Sequence, residues 1–497
     1  MMQDFIRISE NDNVAVALKD LDKGYSFELG DTTVSLLQSV KRGHKFALSD
    51  IKSDNNVIKY GYPIGYARCD IRVGEHVHVH NLSTQLGDNL SYSYNPLNEF
   101  GSITELREDS FMGYLRYDNR VGIRNELWII PTVGCVNSVA KAIESKCKNL
   151  EGDGIDAVVA FNHPYGCSQM GDDQENTREA LTGLIKHPNA GGVLVLGLGC
   201  ENSNIETLKQ YLGDYDKERI EFLVCQEEED EVAAAVVSLT KLAERMRKDI
   251  RTVQPVSKLV VGLKCGGSDG LSGITANPVV GRLSDIICAE GGTTILTEVP
   301  EMFGAETILM NRAKDETVFN KIVDLIQGFK EYYRKNNQTI YENPSPGNKE
   351  GGISTLEDKA LGCTQKAGTS KVIDVLDYAE PVSNKGLNLL KAPGNDLVAS
   401  TALAVSGAQI ILFTTGRGTP FAAPVPTVKI STNTALAKSK SQWIDFDCGV
   451  LLEEGQSIKE LGMKLYYYVI DIANGNKTCS ENEGYHDLAI FKQGVTL

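Results

Sequence analysis

Two hydrophobic periods divide the chain. Up to about residue 82, short apolar runs (Val14–Leu18, Thr33–Leu37, Asn56–Tyr60 and His76–His80) alternate with turn residues, the pattern of a small β-rich unit. Residues 83–110, including Ser91-Tyr92-Ser93-Tyr94-Asn95-Pro96, carry no period and read as a linker. From Phe111 onward, strand-like runs alternate with longer amphipathic stretches. Strands are expected at Leu127–Ile130, Ala157–Phe161, Gly192–Leu198, Glu221–Val224, Leu259–Leu263, Thr293–Leu296, Leu387–Leu390, Gln409–Phe413 and Thr427–Ile430. Helices are expected at Val136–Lys146, Gln174–Ile185, Ile205–Leu212, Glu228–Arg247, Pro278–Ala289, Glu301–Arg312, Asp315–Tyr333, Asp396–Val405 and Ile458–Ala473. Such alternation implies α/β architecture with parallel sheets and right-handed crossovers. The chain thus divides into 1–82, the linker 83–110, a middle α/β domain 111–255 and a C-terminal α/β domain 256–497.

Open parallel sheets bind ligands beyond the carboxyl ends of their strands. Those ends carry Asn162-His163-Pro164-Tyr165-Gly166-Cys167, Gly199-Cys200-Glu201, Lys264-Cys265-Gly266-Gly267-Ser268-Asp269, Thr297-Glu298-Val299-Pro300-Glu301, Pro393-Gly394-Asn395-Asp396 and Gly416-Arg417-Gly418. Glycine there admits a close ligand and frees N–H donors for anionic oxygens. Six of the 11 cysteines (Cys135, Cys167, Cys200, Cys265, Cys363 and Cys448) adjoin a glycine, where chance gives about two. They are either thiolate ligands at strand ends or small residues packed into tight turns. Cys135, Cys167, Cys200 and Cys265, with Glu201 and Glu298, are the candidate metal ligands. No CxxC spacing, GxGxxG fingerprint or P-loop occurs.

Gly74-Glu75-His76-Val77-His78-Val79-His80 alternates His and Val, so on a strand the three histidines would share one face. With His44 they form either a cap bringing acid or base to an anionic substrate, or a solvent-facing strand edge. Arg124, beside Asn125, either grips a carboxylate or makes a surface ion pair. Arg417, between two glycines, is the better substrate candidate.

The chain has 66 acidic and 50 basic residues, a formal charge of −16 and a pI near 5.1. That balance argues against a nucleic-acid binder or a lipid-surface protein. No apolar run nears the roughly 18 residues of a membrane span, and no secretory signal is visible at the N-terminus. An odd number of scattered cysteines suggests reduced thiols in a cytoplasm.

Several stretches resemble the altronate/galactarate dehydratase family: Arg42-Gly43-His44-Lys45-Phe46-Ala47-Leu48, Gly74-Glu75-His76-Val77-His78, Val121-Gly122-Ile123-Arg124-Asn125-Glu126, Tyr165-Gly166-Cys167-Ser168-Gln169, Cys265-Gly266-Gly267-Ser268-Asp269-Gly270-Leu271-Ser272-Gly273 and Thr414-Thr415-Gly416-Arg417-Gly418-Thr419-Pro420. Leu361-Gly362-Cys363-Thr364-Gln365-Lys366 is similar to its altronate branch. The resemblance implies a cytoplasmic, homodimeric hydro-lyase that converts D-altronate to 2-dehydro-3-deoxy-D-gluconate with Fe2+ or Mn2+. It implies an N-terminal β-clip domain, a middle dimerisation domain and a C-terminal Rossmann-like domain carrying the metal. Candidate catalytic residues are then His44, His76, His78, His163 and Lys366; candidate substrate contacts are Arg124, Asn125, Ser268, Asp269, Asn395 and Arg417. The alternatives are galactarate or sulfolactate as substrate, a [4Fe–4S] cluster on three of Cys135, Cys167, Cys200 and Cys265, and a non-enzymatic sugar-acid-binding protein.

Overall fold

A computed structural model describes residues 4–30, 32–87, 91–97, 103, 109–341, 343–453 and 455–494. The N-terminal unit is all β. Phe5–Ile6, Val14–Ala17, Lys45–Ala47 and His76–Val77 form an antiparallel sheet, joined by the pair Ser26–Leu29 and Thr32–Ser35 and by a sheet of Asn56–Lys59, Tyr62–Ala67 and Leu82–Ser83. The expected strand His76–His80 stops at Val77. There the chain turns, with His78 N–H on Asn81 Oδ1 (2.9 Å) and Asn81 N–H on His78 O (3.0 Å).

The rest is α/β. In the middle domain, Val158–Ala160, Glu126–Pro131, Ala190–Gly197 and Ile220–Val224 lie side by side in that order, all parallel. The C-terminal domain holds seven parallel strands in the order Val372–Leu376, Gly386–Leu390, Thr293–Leu296, Val260–Cys265, Ile410–Thr415, Thr427–Ser431 and Phe446–Asp447. Its central strands are apolar on both faces because helices cover both. A small antiparallel sheet of Val121–Gly122, Ser110–Leu115 and Thr252–Pro255 joins the two domains and was not expected from the sequence. Among the described residues no helix is long and apolar enough to cross a membrane.

The β domain is seated on the C-terminal domain. Val14, Ala47 and Ile64 share one buried apolar cluster with Ala305, Ala360 and Leu361. Backbones meet closely: a Cβ on Gly270 would lie 2.0 Å from Gly43 O. At the centre, Asp358 accepts from Lys45 Nζ (2.8 Å), Lys59 Nζ (3.0 Å) and Ser354 N–H (3.0 Å), all buried. Burial opposes the Asp358 charge, but the two ammoniums outweigh it and hold the carboxyl well below its ordinary range. Of the stretch 83–110, residues 88–90, 98–102 and 104–108 lie outside the described residues. The rest is bound rather than free: Thr84 and Gln85 bond to Glu357, Tyr92 Oη to Glu306 and Tyr94 Oη to Ala313 O.

Removing one partner of a buried ion group strands the others without a counter-charge. Asp358→Ala therefore destabilises the fold by about 3–5 kcal/mol, and the loss appears first as protease access to the Asn56–Ala67 hairpin. Denaturant unfolding and limited proteolysis measure both; a loss below about 1 kcal/mol would mean the interface is held without this group.

Candidate active site

The carboxyl edge of the seven-stranded sheet gathers the reactive side chains. Lys264 and Cys265 end the strand Val260–Cys265. Glu298 follows Thr293–Leu296 in a left-handed backbone conformation (φ +69°), which costs a non-glycine residue of order 1–3 kcal/mol and is held only where its surroundings demand it. Here the demand is visible: Glu298 accepts from Cys265 N–H (3.0 Å) and from Lys264 Nζ. The expected helix Glu301–Arg312 is shorter, Glu306–Met310, because Glu298 and Gly304 (φ +93°) break helical backbone; Glu301 sits instead in the 3-10 turn Val299–Glu301. A second arm is the helix Leu356–Cys363 and the 3-10 turn Thr364–Ala367, which bring in Lys359, Cys363 and Lys366.

Glu301 Oε2 lies 3.1 Å from both Cys265 Sγ and Cys363 Sγ, and the two sulfurs are 3.5 Å apart. Lys359 Nζ donates to Glu301 Oε1 (2.8 Å), and Lys366 Nζ to Cys265 Sγ (2.8 Å). Burial opposes the Glu301 charge, yet Lys359, Lys264 and Lys366 hold its carboxyl far below the usual range. Burial and the neighbouring Glu301 charge push Glu298 the other way. Hydrogen bonding to Cys265 and burial push the Cys363 thiol up.

Among the described residues, only Cys265, Glu301 and Cys363 bring three such donors within 4.8 Å of one another. Ligand bonds of about 2.0–2.3 Å put neighbouring donors on one cation roughly 3–4 Å apart, so the observed spacings fit a divalent ion. A cleft of about 610 Å³ opens onto Cys265 and Glu301, walled by Gly266, Gly267, Lys359, Asn395 and Asp396. A Cβ on Gly266 would sit 2.5 Å from Phe413 and 2.7 Å from Asp396, so that position must be glycine.

Comparison with known proteins identifies the family of the chain. Residues 3–85 match the altronate/galactarate dehydratase SAF domain, 113–247 the second domain of D-galactarate dehydratase/altronate hydrolase, and 256–496 the D-galactarate/altronate dehydratase C-terminal domain. An altronate dehydratase of Bacillus subtilis (strain 168) is 53% identical, covering 100% of both chains. The chain belongs to the altronate/galactarate dehydratase family. Another altronate dehydratase, from Escherichia coli (strain K12), is 53% identical over 99% of this chain and 100% of its own. A galactarate dehydratase (L-threo-forming) of the same organism is 33% identical over 98% and 96%.

Within this family frame, the structure brings Cys265, Glu298 and Lys366 together and places Asn395 on the cleft wall, where its Oδ1 caps the helix Asp396–Val405. Ser268 and Asp269 are buried behind the cleft, Asp269 bonded to Ser272 and Thr432. Arg417 lies beside the cleft segment, bonded to Gly347 O (3.0 Å) and Glu350 (2.9 Å), with its side chain 47% exposed.

Other expected site residues are engaged elsewhere. Arg124 is neither a substrate grip nor a surface ion pair. Its buried guanidinium is spent on both oxygens of Glu481 (2.6 and 3.0 Å) and on the carbonyls of Ile123, Ile472 and Asn476. Asn125 is fully buried among Arg116, Gly154 O and Met246 O. His163 donates from Nε2 to Pro131 O (2.8 Å) and accepts Tyr165 N–H at Nδ1 (3.2 Å); both nitrogens are occupied, and burial pushes its pKa down to about 4. Glu201 folds back onto Thr132 and the N–H groups of Leu198 and Gly199, tying its own turn. Cys135, Cys167 and Cys200 stand at the edge of the middle sheet, not with Cys265.

His44, His76 and His78 do come together, with ring centroids 4.9–5.7 Å apart. They do not line the cleft. His44 Nδ1 pairs with His76 Nε2 (3.1 Å), His44 Nε2 with Glu350 O (3.1 Å) and His78 Nδ1 with Ser354 Oγ (3.0 Å). His80, expected further along, returns to 5.4 Å from His76 because the chain turns.

Lys359 was not among the expected site residues; Lys264 and Glu301 stood in the strand-end stretches and Cys363 among the glycine-flanked cysteines without being selected as site residues. Thr355-Leu356-Glu357-Asp358 was the available signal: Thr355 Oγ1 accepts Asp358 N–H (3.2 Å), a helix start written in the sequence.

Arg124→Lys, which loses the two-pronged hold on Glu481, lowers the melting temperature by several degrees while KM for substrate stays within twofold; a selective rise in KM would return Arg124 to the substrate. A second expectation concerns pH. Burial, with His44, His80 and Lys45 nearby, pushes His76 down to about 4; burial, with Lys45 and His44, pushes His78 down to about 3 against the pull of Asp358. Both are neutral when docked, whereas an opened domain would protonate them near the ordinary 6.5. Their contribution to docking is complete above about pH 6.5 and declines as pH falls toward 4. Proteolysis of the β domain should therefore be faster at about pH 5.5 than at 7.5, and His78→Asn should flatten the difference; equal rates in the native chain would contradict it.

Proposed function

We propose that this chain is a metal-dependent hydro-lyase that removes water from D-altronate to give 2-dehydro-3-deoxy-D-gluconate, with its reaction centre at Cys265, Glu301 and Cys363. The full-length likeness to the two altronate dehydratases carries the substrate reading, and the buried donor triad, with Cys265 and Glu301 on the cleft wall, supports the location.

The C2 hydrogen of an aldonate is weakly acidic because the adjacent carboxylate is already negative. Its loss as a proton leaves a dianion, which needs concentrated positive charge and fixed donors. A divalent metal ion held by Cys265, Glu301 and Cys363, Fe2+ or Mn2+, would supply Lewis-acid stabilisation of that dianion. Lys359, on the cleft wall, offers an ammonium to the substrate carboxylate, and glycine at positions 266 and 267 lets the ligand come close. Lys366, against Cys265 Sγ, and Glu298, whose affinity for a proton is raised, are placed to exchange protons beside the triad. The C3 hydroxyl leaves as water once protonated, and the resulting enol becomes the 2-keto acid.

The reading includes a cytoplasmic homodimer. Exposed Met112, Leu115 and Val253 on the antiparallel sheet, with Ile250 beside it, form the kind of apolar surface that a second copy covers. All eleven cysteines are free thiols, which suits a reducing compartment. The β-clip description of the N-terminal unit and the Rossmann-like description of the all-parallel, helix-linked C-terminal sheet belong to the same reading.

The test is anaerobic assay with ferrous iron and a thiol against altronate, galactarate and sulfolactate, following 2-keto acid. Turnover should favour altronate, vanish in chelator and return with iron. Glu301→Gln and Cys363→Ala should each lower kcat by about 10²-fold or more and lose bound iron. Full activity after verified metal removal would refute the metal, and preference for another acid would refute the substrate.

A further inference from the structure

The donor triad contains a thiol pair with a chemistry of its own. Cys265 Sγ and Cys363 Sγ are 3.5 Å apart. A disulfide brings sulfurs to about 2.05 Å, so an approach of roughly 1.5 Å closes the bond, the scale of a side-chain rotation. The two residues come from different elements, Cys265 from the end of the strand Val260–Cys265 and Cys363 from the end of the helix Leu356–Cys363.

The sulfurs differ in access and in contacts. Cys265 is part of the cleft wall, so a small oxidant entering from solvent meets it; Cys363 is buried and is not part of that wall. Lys366 Nζ donates to Cys265 Sγ (2.8 Å), the kind of ammonium contact found beside reactive cysteines. Cys363 stands beside it as a resolving thiol must, held by a helix whose charged residues are all engaged.

The surroundings also tolerate the bond. A disulfide carries no charge and suits a buried site. Once neither sulfur bears a proton, Glu301 Oε1 still accepts from Lys359 Nζ (2.8 Å), and Lys366 Nζ still faces Glu298 Oε2 (3.5 Å). No buried charge loses its counter-charge. Two of the three donors for a cation, however, are gone.

We propose that Cys265 and Cys363 form a reversible disulfide under a two-electron oxidant of the peroxide class, and that this bond locks the centre against its divalent ion. The inference rests on the reading of Cys265, Glu301 and Cys363 as the metal centre. Cys265 attacks as its thiolate: its Sγ bonds to one peroxide oxygen, the O–O bond breaks, and hydroxide leaves as water with a proton from Lys366. Cys265 is then a sulfenic acid. Cys363 Sγ attacks that sulfur, the S–O bond breaks, and the hydroxyl leaves as water with the Cys363 thiol proton. Lys366 recovers its proton from solvent. One peroxide is reduced to two waters while the two sulfurs give up two electrons. A dithiol reverses the bond by exchange. A sulfur engaged by a cation is a poorer nucleophile, so the loaded centre resists.

The full-length chain is stripped of metal, freed of thiol and treated with hydrogen peroxide, with and without prior loading by Mn2+. Differential alkylation and peptide mass mapping follow each cysteine, and equilibrium dialysis measures Mn2+ binding. In the stripped chain, Cys265 and Cys363 should become linked, Mn2+ binding should fall about tenfold or more, and a dithiol should restore it. Mn2+ loading should slow the linkage about tenfold or more. Cys363→Ser should halt at a sulfenic acid on Cys265, trapped by dimedone. If both thiols stay open to alkylation while the reduced chain turns over altronate, the disulfide is refuted and the dehydratase reading stands. If the pair links but Mn2+ neither slows it nor is displaced by it, the lock and the metal centre at these residues fall together.

Discussion

The helix Leu356–Cys363 is the constraint on which the rest depends. Each of its eight residues is buried, though three of the first four are charged. A buried charge is tolerated only when fully partnered, so every face of this helix must be met at once. Asp358 needs Lys45 and Lys59 from the β domain, Glu357 needs Thr84 and Gln85 beyond it, and Lys359 needs Glu301 with Asn343 and Asn348. Seating the β domain and assembling the donor triad are therefore one event. Cys363 at the end of the helix reaches Glu301 only when Asp358 at its start is satisfied.

That coupling changes what the β domain is for. Its histidines are the natural suspects for acid–base work, yet they face Glu350 O and Ser354 Oγ on the segment that leads into the helix. Asn343, Ser345 and Asn348 of that segment wall the cleft. The domain thus acts on the reaction centre through position, by holding one wall and the helix behind it.

Much of this organisation was legible because parallel sheets buried on both faces write themselves as apolar runs, and strand ends are where such sheets bind ligands. Cys265 and Glu298 follow from that rule alone, whereas Lys366, in a turn after a helix, was reached only through the family resemblance of Leu361–Lys366. The helix Leu356–Cys363 was missed because its charged residues are buried along with its apolar ones, so polarity marks no solvent face and no period can be read; only its Thr355 cap marked it. Arg124 and His163 misled for the opposite reason. A polar residue at a strand start or end looks the same in sequence whether it meets substrate or backbone carbonyls, and only the fold reveals that Glu481, Ile472 and Asn476 arrive to take up Arg124. The histidines met by a turn at Val77, not by the period-two strand that the spacing suggested.

Cysteines at the two sheet edges live under opposite electrostatic terms. Cys265 and Cys363 are buried, where a thiolate is disfavoured unless a cation stands beside it. Lys366 at 2.8 Å from Cys265 provides one, and Lys359 neutralises the Glu301 carboxylate that bridges the pair. Removing those ammoniums would leave more negative charge than a dry pocket can hold, so the lysines belong to the donor set as much as the sulfurs do. Cys135, Cys167 and Cys200, at the edge of the middle sheet, are exposed to solvent instead. One fold principle, loops at the carboxyl ends of parallel strands, thus yields two chemically different edges. Burial decides which of them must carry its own counter-charges.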